Sequence, residues 1–237
     1  MRLTILGNNG PFPAPGGACS GYLVESDSGE TRILLDCGTG VLAHLTQLMP
    51  DIHLDAVVLS HLHYDHMSDM LPMHYYFQFH PLARPLNVLL PGAPAEVRTL
   101  IEDKQFDLWP MRETMIGEMR LRFCRVRHPV PTYAISVECD GLRLVYTGDT
   151  NTEPVLELFA DGADLLLADA GLSSADYHEN APHLSAALCG KLARDARVKQ
   201  LVLTHLNPKY DSAQLLSEAQ AHFPAAELAE IGGIWYV

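Results

Sequence analysis

Short apolar runs alternate with polar, glycine-marked turns along the whole chain, and their spacing assigns most of its elements. Met1–Gly7 reads as a strand; it is too short and too soon broken for a signal peptide. Gly21–Glu25 and Arg32–Asp36 predict two strands joined through Asp27-Ser28-Gly29, a hairpin signal. Val41–Met49 predicts an amphipathic helix, Ala56–Leu59 a strand, and residues 67–81, rich in Met, Tyr, Phe and His, a further helix. Then follow strand Leu86–Leu90, helix Ala95–Phe106, strand Met119–Val126, and a hairpin of Ala134–Glu138 with Leu142–Tyr146 across Asp140-Gly141. The remainder predicts helix Pro154–Phe159, strand Asp164–Ala168, helix Ser185–Ala196, strand Gln200–Leu203, helix Ala213–His222 and a closing strand Ile234–Val237.

Strands that are mostly antiparallel early and alternate with helices later imply an α/β fold with two sheets between helices. The halves echo each other: Asp55-Ala-Val-Val-Leu-Ser-His61-Leu62 and Lys199-Gln-Leu-Val-Leu-Thr-His205-Leu206 are the same strand-to-histidine phrase. No linker or low-complexity tract divides residues 1–237, so they read as one domain. With 237 residues, 48% of them hydrophobic, an ample core is available. Asn8–Gly17 is too rich in Gly and Pro for helix or central strand, and loops of that length in compact domains are often functional.

Four apolar strands end in a residue able to bind a metal, Asp36, His61, Asp149 and His205, and His128 follows a fifth. Strand ends gathered on one edge of a sheet are where open α/β folds place their ligands. The densest stretch is Ser60-His61-Leu62-His63-Tyr64-Asp65-His66. There His61 and His63, two apart, suit one cation, and the adjacent Asp65 and His66 suit a second. Taken singly, the others stay open. Asp36 either orients a ligand of this loop or caps the helix from Val41; Asp149 is a ligand or a turn residue, and His205 a ligand or a helix cap. His74 and His80 read as packing or surface residues.

The H-x-H-x-D-H run resembles the metal-binding signature of the metallo-β-lactamase fold superfamily, and the remaining candidates occur in that family's order. The resemblance implies a four-layer αββα sandwich of two mixed sheets flanked by helices, holding two divalent cations, zinc or else manganese. It assigns His61, His63 and His128 to one metal, Asp65, His66 and His205 to the other, Asp149 as a bridge between them, and Asp36 to a place behind the histidine loop. A hydroxide bridging the pair would be the nucleophile. His128-Pro129-Val130-Pro131-Thr132-Tyr133, the aspartate at the bridge and Pro182-His183-Leu184-Ser185-Ala186 are similar to the phosphodiesterase branch that includes ribonuclease Z. That branch implies catalytic roles for Asp65 and His183, with His183 protonating the leaving oxygen; a histidine of an N-capping region is the alternative. The Pro15–Tyr22 stretch is similar to small bacterial members of the group, and His178 has no counterpart in it.

Charge narrows the substrate. Sixteen Lys plus Arg against 29 Asp plus Glu leave a net charge of −13, which repels polyanions. The interval from Asp149 to His183 is also too short for the long basic arm with which ribonuclease Z grips tRNA. Arg120, Arg122, Arg125 and Arg127 along one strand are either a local basic patch or a solvated face with paired charges. The expectation is a hydrolase of small phosphodiesters such as a cyclic nucleotide, with Asn8–Gly17 and helix 67–81 walling its pocket. A lactonase or thiolesterase on the same centre is the alternative; tRNA 3′-processing and a non-catalytic metal scaffold rank below it. Five scattered cysteines without a C-x-x-C pair imply free thiols of a cytoplasmic protein, and no apolar run nears the roughly 20 residues of a membrane span. Relatives in the branch suggest a homodimer through the helices near the loop edge.

Overall fold

The computed structural model describes residues 1–237. Its first part runs β1 (Arg2–Gly7), β2 (Gly21–Glu25), β3 (Arg32–Leu35), α1 (Val41–Leu48), β4 (Ala56–Val58), α2 (Tyr64–Met67), α3 (Met70–Phe79), β5 (Leu86–Leu90), α4 (Ala95–Arg98) and β6 (Phe106–Pro110). The second runs β7 (Thr114–Ile116), β8 (Met119–Val126), β9 (Thr132–Cys139), β10 (Leu142–Tyr146), α5 (Pro154–Ala160), β11 (Leu165–Asp169), α6 (Ala186–Asp195), β12 (Gln200–Thr204), α7 (Ser212–Gln220), β13 (Ala226–Leu228) and β14 (Ile234–Tyr236). Two seven-stranded sheets result, ordered β14-β1-β2-β3-β4-β5-β6 and β13-β12-β11-β10-β9-β8-β7. Each is antiparallel on one flank and parallel on the other, along β3–β6 in the first and β10–β13 in the second.

Strand alternation sorts the side chains into layers. Ile33, Leu35 and Val58 of the first sheet meet Ile135, Val137, Leu144 and Leu165 of the second in one buried cluster between the sheets. Their alternates Leu34 and Val57 pack outward on Leu45 of α1 and Met73 and Phe77 of α3. Leu166 and Leu203 likewise pack on Cys189 of α6 and Leu215 of α7. Central strands buried on both faces account for the unbroken apolar runs. The product is the expected four-layer αββα sandwich.

Two local expectations need correction. The helix expected over 67–81 is two helices, α2 and α3, broken at Ser68-Asp69, where Asp69 N donates to Cys37 O at 3.0 Å and its carboxylate accepts from Leu42 N at 2.9 Å. Its longer part, α3, buries Met70, Met73 and Phe77 on the outer face of the first sheet. The helix expected over 95–106 stops at Arg98, and Phe106–Pro110 forms β6 instead. Parallel pairing with β5 sends Phe106 and Leu108 to the outer core and Trp109 to the inner one, a gain that a local helix lacks. Pro110 is tolerated because β6 is an edge strand. The three-residue strands β7 and β13 carry no periodic signal of their own. By contrast the Asp140-Gly141 turn behaves as read, with φ of 52° and 79° at its two residues, the pattern of a tight hairpin.

Two fully buried tyrosines stitch the sheets together. The rings of Tyr22 on β2 and Tyr146 on β10 meet edge-on with centroids 5.0 Å apart. Tyr22 Oη pairs with Thr204 Oγ1 and Tyr146 Oη donates to Asp36 Oδ2, both at 2.8 Å. Tyr22→Phe leaves the Thr204 hydroxyl buried without a partner and is expected to cost about 1–2 kcal/mol. The check is urea denaturation, where the midpoint should fall while the slope stays unchanged.

Candidate metal centre

The parallel strands deliver their carboxyl ends to one edge of the sandwich. Asp36 follows β3, His61 follows β4, Asp149 follows β10, Asp169 ends β11 and His205 follows β12. Asp36 and His205 leave their strands with left-handed backbone, φ 56° and 54°. That conformation costs a non-glycine residue about 1 kcal/mol. Hydrogen bonds hold it in both places: Asp36 N donates to Val58 O at 2.9 Å, and beyond His205 the Leu206 N donates to Asn8 O at 2.7 Å. The short helix α2, entered from His63, presents Asp65 and His66 together.

Ring nitrogens of three histidines converge first. His63 Nδ1 lies 3.1 Å from both His61 Nε2 and His128 Nε2, and Asp149 Oδ2 lies 3.6 and 3.9 Å from those two. Donors about 2.0–2.1 Å from a shared tetrahedral cation stand about 3.3–3.4 Å apart, so this spacing fits one metal ion. The outward nitrogens are already engaged. His128 Nδ1 donates to Pro182 O at 3.0 Å, and His61 Nδ1 meets Ser60 Oγ at 3.0 Å. Burial pushes His61 well below an ordinary histidine, with the His66 charge adding to the effect, and burial lowers His63 and His128 as well. All three therefore offer neutral imidazoles, the form that binds metal.

A second group shares Asp149. His66 Nε2 is 3.2 Å from Asp149 Oδ1 and 3.5 Å from Asp65 Oδ2, while His205 Nε2 is 3.1 Å from Asp65 Oδ2 and 3.4 Å from Asp149 Oδ2. These spacings again match a tetrahedral edge. His66 Nε2 and Asp149 Oδ1 are fully buried without a hydrogen-bond partner, which is unusual unless something else satisfies them. Burial opposes charge on His66 and His205, but the Asp149 carboxylate outweighs it, holding His66 well above its ordinary range and lifting His205 to about 10. Burial also opposes ionisation of Asp65 and Asp149, yet the His205 and His66 charges keep both below the carboxylate range. Two buried carboxylates demand positive charge beside them, and a divalent cation meets that demand.

Asp36 stands behind this group. Its Oδ1 accepts from Ser60 N at 2.6 Å, and its Oδ2 from Ser60 Oγ, His66 Nδ1 and Tyr146 Oη, each at 2.8 Å. Helix α1 is capped at Gly40, so the alternative reading of Asp36 as its cap does not apply. A third acid–histidine pair, partly missed from sequence, completes the edge. His183 Nδ1 bonds Asp169 Oδ2 at 2.9 Å, and the His183 ring stacks on His205 with centroids 4.9 Å apart. Burial disfavours charge on His183, but Asp169 more than offsets it and the histidine is raised. Ser185 caps α6, leaving His183 free of that duty. Asn151 Nδ2 donates to Glu179 O and Ala181 O, fixing the segment that leads to His183. Asp169 had a legible signal, since Leu165-Leu-Leu-Ala-Asp169 is another apolar strand ending in an acid.

The sequence profile described as Beta-lactamase superfamily domain matches residues 31–206, from β3 to the residue after His205. Over 244 residues the chain is 31% identical to the probable metallo-hydrolase YhfI of Bacillus subtilis (strain 168), covering 99% of each protein. The chain belongs to the β-lactamase superfamily. The crystal structure of YhfI superposes with a TM-score of 0.91 at 29% identity, again over 99% of each chain. A ribonuclease Z of Methanopyrus kandleri is 27% identical over 276 residues, covering 98% of this chain and 96% of that one. Human tRNase Z, short form, shares the fold with a TM-score of 0.81 at 19% identity, over 100% and 99% of the two chains.

Other histidines of this β-lactamase superfamily chain lie elsewhere. His74 faces Asp103 and Gln78, His80 stacks on Tyr76, and His178 is exposed. Of the arginine row, Arg120 and Arg122 pair with Glu113 and Glu138, Arg127 bonds Asn180, and Arg125 lies over the Tyr133 ring. The Asn8–Gly17 loop does touch the centre: a Cβ on Gly10 would sit 1.9 Å from His205 Nε2. Gly10→Ala must therefore push the His205 ring aside, and elemental analysis is expected to show less metal bound than in the unaltered chain. Asp36→Asn removes the acceptor that fixes His66 and is expected to weaken metal binding about 10- to 100-fold, measured by chelator competition.

Proposed function

We propose that this chain is a dinuclear metal-dependent phosphodiesterase acting on a small phosphodiester such as a cyclic nucleotide, and that residues 1–237 form one hydrolase domain working in the cytoplasm. Superfamily membership and the metallo-hydrolase name of its Bacillus relative support hydrolysis; the ribonuclease Z relatives support phosphodiester chemistry. The net charge of −13 favours a small substrate over tRNA. No helix is long and apolar enough to cross a membrane. Leu71, Tyr75 and Phe79 form an exposed stripe along α3, which supports a homodimer through that helix.

In this reading His61, His63 and His128 hold one cation, Asp65, His66 and His205 the other, and Asp149 lies between them. The nitrogen-rich donor set suits zinc, with manganese the alternative. When bound, the two cations supply a water-derived nucleophile at neutral pH and neutralise charge on the phosphoryl oxygens. The remaining work belongs to the protein. Asp36 orients His66, and Asp65, whose Oδ2 meets His66 and His205, is placed to take a proton from the attacking water.

The observation that carries the reading is the His183–Asp169 pair. Asp169 accepts from Nδ1, sets the tautomer and favours the protonated ring, while Nε2 takes no protein partner and can give its proton to the leaving oxygen. His183→Ala is expected to lower turnover of bis-p-nitrophenyl phosphate by about 100-fold or more, with metal content by mass spectrometry unchanged. Loss of metal in the variant would refute the role. Chelation should abolish turnover and re-addition restore it; hydrolysis of an acyl-homoserine lactone with no phosphodiester turnover would overturn the reading in favour of the lactonase.

A further inference from the structure

A cavity of about 480 Å³ opens on the same edge as the metal centre, and nothing in the chemistry above uses it. Its walls come from both sheets. Trp109 of β6 and Leu90-Pro91-Gly92 after β5 form one side, Tyr133 of β9 the other, and Arg98 of α4 stands at the rim. Trp109 packs against the inter-sheet core, and Tyr133 alternates with Ile135 and Val137, which belong to it. The cavity is therefore the open end of the space between the sheets. It lies close to the metal ligands: Leu59 N donates to Leu89 O at 2.8 Å and Tyr133 N to Ser60 O at 3.0 Å, directly before His61. Neighbouring strands stand about 4.8 Å apart, so Tyr133 at the mouth lies about one strand from Ser60, the residue before His61.

We propose that this cavity is the nucleobase subsite of the enzyme, with Trp109 and Tyr133 as its aromatic walls and Arg125, outside the lining itself, as a cation against the Tyr133 ring. The inference rests on the phosphodiesterase reading. Volumes of roughly 300–1,000 Å³ are typical of small-molecule sites, and aromatic walls contributed by two layers select a flat ring. Trp109 Nε1 donates to Asp107 Oδ2 at 2.8 Å, which fixes the indole before a ligand arrives. The Arg125 guanidinium sits 5.7 Å from the Tyr133 ring centroid and pairs with no carboxylate, whereas Arg98 is held by Glu102. An unpaired guanidinium over an aromatic wall favours electron-rich heterocycles with ring-nitrogen acceptors, as in adenine. In this proposal the ribose of the nucleotide would span from such a ring, past Ser60, toward a phosphorus beside His61.

The chain has two tryptophans, Trp109 and Trp235, so Trp235→Phe leaves Trp109 as the only indole reporter. In that background, metal-loaded protein titrated with 5′-AMP should show quenched tryptophan emission. Trp109→Ala should raise KM for 3′,5′-cyclic AMP by about tenfold, the loss of one base–aromatic stack, with kcat and metal content unchanged. Trp109→Phe, which keeps an aromatic face, should restore most of the KM. No quenching together with an unmoved KM overturns the subsite while leaving the phosphodiesterase reading intact. Should wild-type protein fail on every phosphodiester, that reading falls, and quenching by 5′-AMP still decides whether the cavity takes a base.

Discussion

Asp36 has no exposure to water, yet its carboxylate accepts four hydrogen bonds from three segments: the Ser60 amide and hydroxyl, the His66 ring and the Tyr146 phenol. Ser60 and His66 frame the histidine loop, and Tyr146 belongs to the opposite sheet. One buried charge thus couples the entry and exit of the loop to the packing of the two sheets. An ion in that position is tolerable only when fully hydrogen-bonded, so every donor is constrained by the cost of leaving the charge unmet. The geometry of the metal centre and the closure of the sandwich are, through this residue, the same constraint.

The edge of the sandwich divides its charges by function. Burial and their mutual repulsion lower His61, His63 and His128, while neighbouring carboxylates (Asp149 and Asp36 at His66, Asp149 and Asp169 at His205 and His183) raise the others, so that a cation bound by His66 and His205 would have to displace their protons. Neutral donors gather around one position and acid–histidine pairs around the next two. Three overlapping groups of donors result, with Asp149 common to all of them. A protein of strongly negative net charge therefore holds a dense cluster of carboxylates buried, where cations can answer it.

Close packing does the rest of the positioning. Gly10 rests on the His205 imidazole, and Asn9 Nδ2 reaches Leu206 O at 3.3 Å, so the glycine- and proline-rich loop acts as a clamp on a histidine contributed by the far end of the chain. On the other side Asn151 fastens the segment before His183. Both devices work through backbone proximity, which explains why such small or uncharged residues sit among the charged ones.

Much of this was legible in the chain alone. Short unbroken apolar runs located most strands, and acids or histidines directly after them located the residues that meet on one edge, because parallel strands in one sheet must end on the same side. Asp169 obeyed the same pattern and escaped notice only because a single acid after a strand is common. What needed tertiary structure was every decision made by a distant partner. Phe106–Pro110 became a strand because β5 offered a ladder, where the local pattern suggests only a helix ending at Phe106. Asp36 turned toward Ser60, His66 and Tyr146 and left the cap of α1 to Gly40. The contact of Gly10 with His205 joins residues 195 positions apart, and no local pattern encodes it. Local sequence sets backbone preference and the side a residue faces; which groups meet across the sandwich is settled only when burial and hydrogen bonding are satisfied together.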